Sequence, residues 1–323
     1  MYSRQLFFIA LLIYLFPTHL TLLGKVSAME LSENPEHQID SNLSMSYTDA
    51  FIYGIIEGVT EFLPISSTGH LVIVSEVLTR NEHQNKEALN AYLIVIQAGA
   101  ILAVTLLYRK EVWSMILGFL GLDPRGKRLA INIIVAFLPA AILGPILDDK
   151  IEKFLFGLLP IAIALFLGAL LMFWVEKRKK AKDSGIIIEE GKTLDDLTLS
   201  QSLTIGFLQC FAIWPDTSRS MMTIVGGYLV GLQRKKAAEF SFLLGLVTLS
   251  AAAGYKVLTK WEVMEANLSI GPILFGCLIA GISAALSVFW LVGYLSRRGL
   301  GIFVWYRILL SIVLFVFYFN SQG

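Results

Sequence analysis

Cysteine is nearly absent from this chain: Cys210 and Cys277 are the two in 323 residues, and both lie within apolar runs. Neither stands in a CxxC or Cys/His spacing, which excludes a zinc site or a redox pair built on them and leaves two packing residues. Net charge is also missing, since 26 basic and 25 acidic residues leave a formal +1. The basic residues are clustered in loops, where they act as topology markers and surface charge and make no case for nucleic-acid binding. What is abundant is apolar surface. Hydrophobic residues make up 56% of the chain and its mean hydropathy is +0.69, more than a soluble core requires, so the composition is that of a multi-spanning membrane protein.

Arg4 precedes the apolar run "LFFIALLIYL" at 7 to 16, followed by Pro17 and by "VSA" at 26 to 28. A charged start, an apolar middle and a small-residue cleavage site read as a signal peptide over 1 to 28, with a retained N-terminal anchor as the alternative. Either carries the polar stretch 29 to 45 to the outer face.

A spanning helix needs roughly 20 mostly apolar residues. Six segments qualify: about 88 to 108, 128 to 147, 157 to 175, 237 to 258, 270 to 295 and 301 to 319. Basic residues orient them: Arg109, Lys110, Arg125, Lys127 and Arg128 follow the first span, and Lys177, Arg178, Lys179, Lys180 and Lys182 follow the third, so these loops are expected on the cytoplasmic side. The stretches 47 to 80 and 200 to 233 are apolar but interrupted by proline and polar residues, and each reads as two short helices. The alternation of sides closes only if the first pair is re-entrant from outside and the second from the cytoplasm.

The two interrupted stretches are alike. "GIIEGVTEFLPISS" at 54 to 67 aligns with "GFLQCFAIWPDTS" at 206 to 218 once one residue is gapped before the proline. Gly54 matches Gly206 and Glu57 matches Gln209. Three spans follow each unit. The expected fold is therefore an all-α integral membrane protein, with six transmembrane helices and two re-entrant helix pairs in an inverted-topology repeat. Its first repeat occupies 46–176, a cytoplasmic linker 177–199 and a second repeat 200–323. Such repeats commonly hold their site near the bilayer midplane.

Pro64 disfavours a helical conformation at Leu63, so the first short helix should end there, with Ser66 or Ser67 capping the second. Pro215 predicts the same, with Thr217 or Ser218 as cap and Arg219 in the first turn. Two helix N-termini meeting in one cavity make an anion site. Arg219 adds a guanidinium suited to phosphate, and the hydroxyls of Ser67, Thr68, Ser218, Ser220 and Thr223 are candidate donors. Glu57 and Glu61, four apart, share a helix face and repel. Protonation of one, a divalent cation, or pairing with Arg219 would relieve them, and Mg²⁺ or Ca²⁺ between carboxylates and phosphate oxygens is ordinary chemistry. His70 lies three residues past Ser67, on the side of that hydroxyl. The pair can act as base and nucleophile, or His70 can itself attack phosphorus or protonate the leaving group. Gly54-x-x-x-Gly58 and Gly227-x-x-x-Gly231 fit helix packing. The serines and threonines singly fit capping, whereas ionisable groups at membrane depth are usually functional.

The motifs "EGVTEFLPISSTGH" at 57 to 70 and "QCFAIWPDTSRSMMT" at 209 to 223 resemble the two signatures of the bacterial undecaprenyl-diphosphate phosphatases, the bacitracin-resistance family, over nearly all of 46 to 319. The resemblance implies Glu57, Glu61, Ser67, His70 and Arg219 as catalytic residues. It also implies Ser66, Thr68, Ser218, Ser220 and Thr223 as substrate contacts, with Glu57 and Glu61 on a divalent ion. The implied reaction cleaves undecaprenyl diphosphate, a membrane-borne long-chain polyprenyl diphosphate, to the monophosphate and inorganic phosphate. It would take place at the outer, periplasmic face of the inner membrane and recycle the carrier for peptidoglycan synthesis. Ser67 and His70 both remain candidates for the attack, and homodimerisation stays open. Asp216 departs from the family, which usually has glycine there; its carboxylate can cap the following helix or bind metal. A lipid-phosphate flippase or anion transporter is the rival reading, and a carrier does not require Ser67 and His70 behind paired glutamates.

Overall fold

The computed structural model describes residues 45–78, 86–155, 157–183, 191–259, 262, 264 and 269–321. The expected signal peptide or anchor and the outer-face segment up to residue 44 lie outside them. Ser46 opens the first helix, α1 (Tyr47–Thr60), by accepting the Asp49 amide at 3.0 Å. The helix stops at Thr60, three residues short of the end expected at Leu63. Pro64 has no N–H to extend the ladder, and the Leu63 carbonyl instead accepts the Ile65 amide at 2.8 Å and the Ser220 hydroxyl at 2.7 Å. The second helix, α2 (Ser67–Leu78), starts directly after Ser66. With 14 and 12 residues, the two helices are about 21 and 18 Å long, and neither crosses a ~30 Å hydrocarbon core alone.

Two longer helices and a short one follow: α3 (Lys86–Leu107), α4 (Arg109–Phe119) and α5 (Pro124–Leu155). Proline at the first position of α5 loses no hydrogen bond, and Asp123 caps it by accepting the Arg125 and Gly126 amides at 2.9 and 3.1 Å. The Ser114 hydroxyl at 2.5 Å and these amides hold the Asp123 carboxyl below the usual carboxylate range. α6 (Leu158–Asp183) runs on into the expected linker. A capping box of Thr198 and Gln201 starts α7 (Leu199–Cys210), which tightens into a 3₁₀ turn at Phe211–Ile213. Trp214, before Pro215, is extended, as that position requires. Then come α8 (Arg219–Leu229), α9 (Arg234–Thr259), α10 (Ile270–Arg298) and α11 (Gly301–Ser321).

Among the described residues, six stretches are long and apolar enough to cross a membrane: Leu89–Leu107, Pro124–Leu147, Leu158–Lys179, Arg234–Thr259, Ile270–Arg298 and Gly301–Asn320. They coincide with the six expected spans, and the chain is an all-helical multi-pass membrane protein. Among the described residues the only β feature is a single parallel bridge between Lys192 and Leu232. In both short pairs the second helix begins 20 residues after the first, 47 to 67 and 199 to 219. That register needs no gap, so Ser66 stands opposite Ser218 and Ser67 opposite Arg219, one residue away from the gapped match expected from the prolines.

Packing relies on missing side chains. α1 lies along α10, and a Cβ on Gly54 would sit 2.9 Å from the Gly276 carbonyl oxygen, while one on Gly58 would sit 2.2 Å from that of Ala280. α7 lies on α5 in the same way, Gly206 facing the Ala136 carbonyl at 2.4 Å. Gly227 packs against Ala237, but Gly231 is no packing residue: its φ of +96° makes it the turn between α8 and α9. Gly58→Ala should force α1 from α10 and lower stability by about 1–3 kcal/mol. Gly293→Ala, whose Cβ would meet nothing within 4 Å, should be neutral. Thermal unfolding of the purified protein checks both.

Candidate functional site at the two helix breaks

The two breaks meet. Glu61, the residue after α1, and Arg219, the first of α8, form a 3.0 Å ion pair from Nη2 to Oε1, with side chains 6% and 11% exposed. The other carboxylate oxygen, Oε2, accepts the Ser67 hydroxyl at 2.7 Å. Arg219 is fixed from three directions: Nη1 donates to the Ser241 carbonyl at 3.3 Å, the guanidinium lies 5.4 Å over the Phe62 ring, and a Cβ on Gly245 would sit 2.2 Å from Nη1. Its Nε is buried without a hydrogen-bond partner among the described residues. Glu57, one helical turn before Glu61 and 2% exposed, accepts the Gln97 side-chain amide at 3.2 Å.

Of the residues expected at a site, Glu61, Ser67 and Arg219 are thus in direct contact and Glu57 stands on the same helix face. The others are placed differently. Ser220 donates to the Leu63 carbonyl and Thr223 to the Arg219 carbonyl, so both hydroxyls face into the protein and join α8 to its surroundings. Ser218 caps α8, accepting the Met221 amide at 3.3 Å, as expected. Thr68 is exposed. His70 does not bond the Ser67 hydroxyl: Nδ1 lies 2.5 Å from the Ser66 carbonyl oxygen, and Nε2 bonds the Tyr306 hydroxyl.

Asp216 does not cap the helix that follows it. Its Oδ1 accepts the Gly69 amide at 2.6 Å and the Ser66 hydroxyl, so it caps α2, a helix of the other break. Ser66, whose φ is +77°, spends its hydroxyl as a donor to Asp216. Ser66, Asp216 (φ +65°) and Ser218 (φ +73°) are the non-glycine residues with positive φ among those described, and all lie in the two breaks. The Asp216 carbonyl accepts Nη2 of Arg307 at 3.1 Å; that arginine is fully buried in α11 and also donates to the Ala164 and Leu165 carbonyls.

Gln97, Tyr306 and Arg307 did not figure in the reading of the sequence. For Arg307 a signal existed, since it is a charge inside an apolar span. Gln97 and Tyr306 carry none, being unremarkable in helices of this composition. Among the described residues no three of His, Cys, Asp and Glu cluster as a metal site. Two carboxylates one turn apart offer hard oxygen donors that suit Mg²⁺ or Ca²⁺ only where phosphate oxygens or water complete the shell. Chemically, a hydroxyl donating to a carboxylate beside a guanidinium holds a nucleophile, its base and a cation for a developing negative charge.

Asp216→Gly should separate the two effects at the second break. Glycine relieves the positive φ, about 1 kcal/mol or more, but strands the buried Gly69 amide and Ser66 hydroxyl, at about 1–3 kcal/mol each. A net loss of stability is expected, and Asp216→Asn, which tolerates the same backbone and keeps an acceptor oxygen, should retain most of it. Thermal unfolding midpoints of the three proteins measure this.

A family profile described as Bacitracin resistance protein BacA matches residues 50–313. Among similar curated proteins, the Undecaprenyl-diphosphatase 2 of Rhodospirillum rubrum is 40% identical over 264 residues, covering 82% of this chain and 92% of the relative. The Undecaprenyl-diphosphatase of Sorangium cellulosum is 42% identical over 269 residues, covering 83% and 85%. That of Acinetobacter baumannii is 40% identical over 278 residues, covering 85% and 97%. With the profile matched over residues 50–313 and these relatives at 40–42% identity over most of their length, the chain belongs to the BacA family.

Proposed function

We propose that this protein hydrolyses undecaprenyl diphosphate, or a similar long-chain polyprenyl diphosphate, to the monophosphate and inorganic phosphate. In doing so it recycles the lipid carrier for peptidoglycan synthesis and supports bacitracin resistance. The observation that carries the reading is the chain of contacts from Ser67 to Glu61 to Arg219. Ser67 Oγ attacks the terminal phosphorus while its proton passes to Glu61 Oε2. The bridging P–O bond breaks, and the prenyl monophosphate leaves with the electron pair. Glu61 gives that proton to the departing monophosphate and is again a carboxylate when water attacks the phosphoserine; it takes a proton from the water and delivers it to Ser67 Oγ as the P–Oγ bond breaks, releasing inorganic phosphate. In this reading the Arg219 guanidinium neutralises the charge gathering on the phosphoryl oxygens. Glu57 and Glu61 would hold a divalent cation, which when bound supplies charge neutralisation to the diphosphate. A transporter of lipid phosphates has no need of a hydroxyl aimed at a carboxylate, and the hydrolase reading is preferred for that reason.

The spatial frame of this reading is an inverted repeat in which α1–α2 and α7–α8 are re-entrant. The identical 20-residue spacing within the pairs and the crossed packing, α1 on α10 and α7 on α5, support it. In this frame the protein sits in the inner membrane of a bacterium, the site opens to the periplasmic face, and the lipid tail runs between helices.

Phosphate release from a long-chain prenyl diphosphate by the purified protein, with Mg²⁺ or Ca²⁺ present, tests the activity. The native chain should release phosphate and lose it on chelation. Glu61→Ala should lower kcat by about 10²–10⁴-fold and Arg219→Ala by about 10²–10³-fold; silence of the native protein sinks the reading. For orientation, a membrane-impermeant thiol reagent should label Phe154→Cys in intact cells but not Arg178→Cys, both in a background without Cys210 and Cys277. The opposite pattern would reverse the topology.

A further inference from the structure

His70 is 6% exposed and both of its ring nitrogens are engaged. A carbonyl oxygen only accepts, so the 2.5 Å contact with Ser66 O puts the proton of the neutral ring on Nδ1. Nε2 then presents its lone pair, and the Tyr306 hydroxyl donates to it. The two rings lie nearly parallel, 9° between planes and 5.6 Å between centroids. In this arrangement the imidazole has no free lone pair with which to attack phosphorus or to take a proton from Ser67, whose hydroxyl is directed to Glu61.

Tyr306 is itself held from behind. The next residue, Arg307, is anchored on the Ala164 and Leu165 carbonyls of α6 and on the Asp216 carbonyl at the second break. Asp216 returns to the first break through the Ser66 hydroxyl and the Gly69 amide. Ser66 is therefore gripped at its carbonyl by His70 and at its hydroxyl by Asp216, and the residue after it is Ser67.

We propose that Tyr306 is a positioning residue of the phosphatase site, acting through His70 on the Ser66 backbone and so on the aim of the Ser67 hydroxyl. The inference rests on the hydrolase reading above and assigns His70 to the support of the nucleophile. Misplacing a reacting group by about 1 Å can cost 10²-fold in rate, so losing one strut of several should cost less. It should fall on turnover, because neither Tyr306 nor His70 holds the substrate in this scheme.

The test is a double-mutant cycle on phosphate release. Tyr306→Phe keeps the ring and removes the hydroxyl. His70→Asn keeps an N–H for the Ser66 carbonyl and removes the group that reaches Tyr306. Each should lower kcat by about tenfold with KM within about twofold, and the double variant should be no slower than His70→Asn alone. Thermal unfolding of each variant shows that the remaining protein is folded. In [¹⁵N]histidine spectra of the native protein, His70 should carry its proton on Nδ1, and Tyr306→Phe should shift Nε2. A Tyr306→Phe protein with native kcat, or losses that multiply in the double variant, overturns the proposal. So does a His70→Asn protein that is inactive while Tyr306→Phe turns over normally, the pattern of a nucleophilic histidine. Release by the native protein with an unaffected Tyr306→Phe variant removes this inference alone, and no release by the native protein removes the hydrolase reading with it.

Discussion

The ion pair between Glu61 and Arg219 joins two chain breaks that are 158 residues apart in sequence, and the rest of the site is arranged around it. Either charge buried alone would be costly, and removing one partner of a buried pair leaves the other uncompensated, at about 3–5 kcal/mol. Here each partner has further support. Ser67 donates to the second oxygen of Glu61, while Arg219 uses the Ser241 carbonyl, the Phe62 face and the space left by Gly245. The contact that neutralises the charges also aligns the Ser67 hydroxyl with the carboxylate, so stability and the proposed chemistry draw on the same few atoms.

Holding that pair in place requires backbone that a chain does not adopt readily. Ser66, Asp216 and Ser218 all have positive φ, a conformation that costs about 1–3 kcal/mol in a residue with a side chain. Cross-connections stabilise it: Asp216 of the second break caps the helix of the first, Ser220 of the second takes the Leu63 carbonyl of the first, and Arg307 ties Asp216 to α6. Buried irregular backbone persists only where its polar groups find such partners. The glycine contacts of α1 with α10 and of α7 with α5 bring the two breaks close enough for these bonds to form.

Much of this was legible beforehand. Apolar length located all six spans, and Pro64 and Pro215 located both breaks, because proline acts through its own ring and missing N–H and needs no distant partner. The charges Glu57, Glu61 and Arg219 stood out because an apolar setting makes any ionisable group conspicuous. Roles that depend on a neighbour were not legible. The hydroxyls of Ser220 and Thr223, expected to face a ligand, are spent on carbonyls. His70, expected beside the Ser67 hydroxyl by helical spacing, turns to Ser66 and Tyr306.

Legible from residues alone were the membrane class, the six spans found among the described residues, the places where the two short pairs break and the residue types available for phosphate chemistry. Each of these follows from local properties: hydropathy over about 20 residues, the geometry of proline, and the cost of a charge in an apolar environment. Helix packing brings Arg219 to Glu61, turns Asp216 to cap the helix of the other break, and sets Tyr306 and Arg307 of the last span against His70 and Asp216. Those contacts join residues more than 90 positions apart, and their pairing is set by how the helices pack.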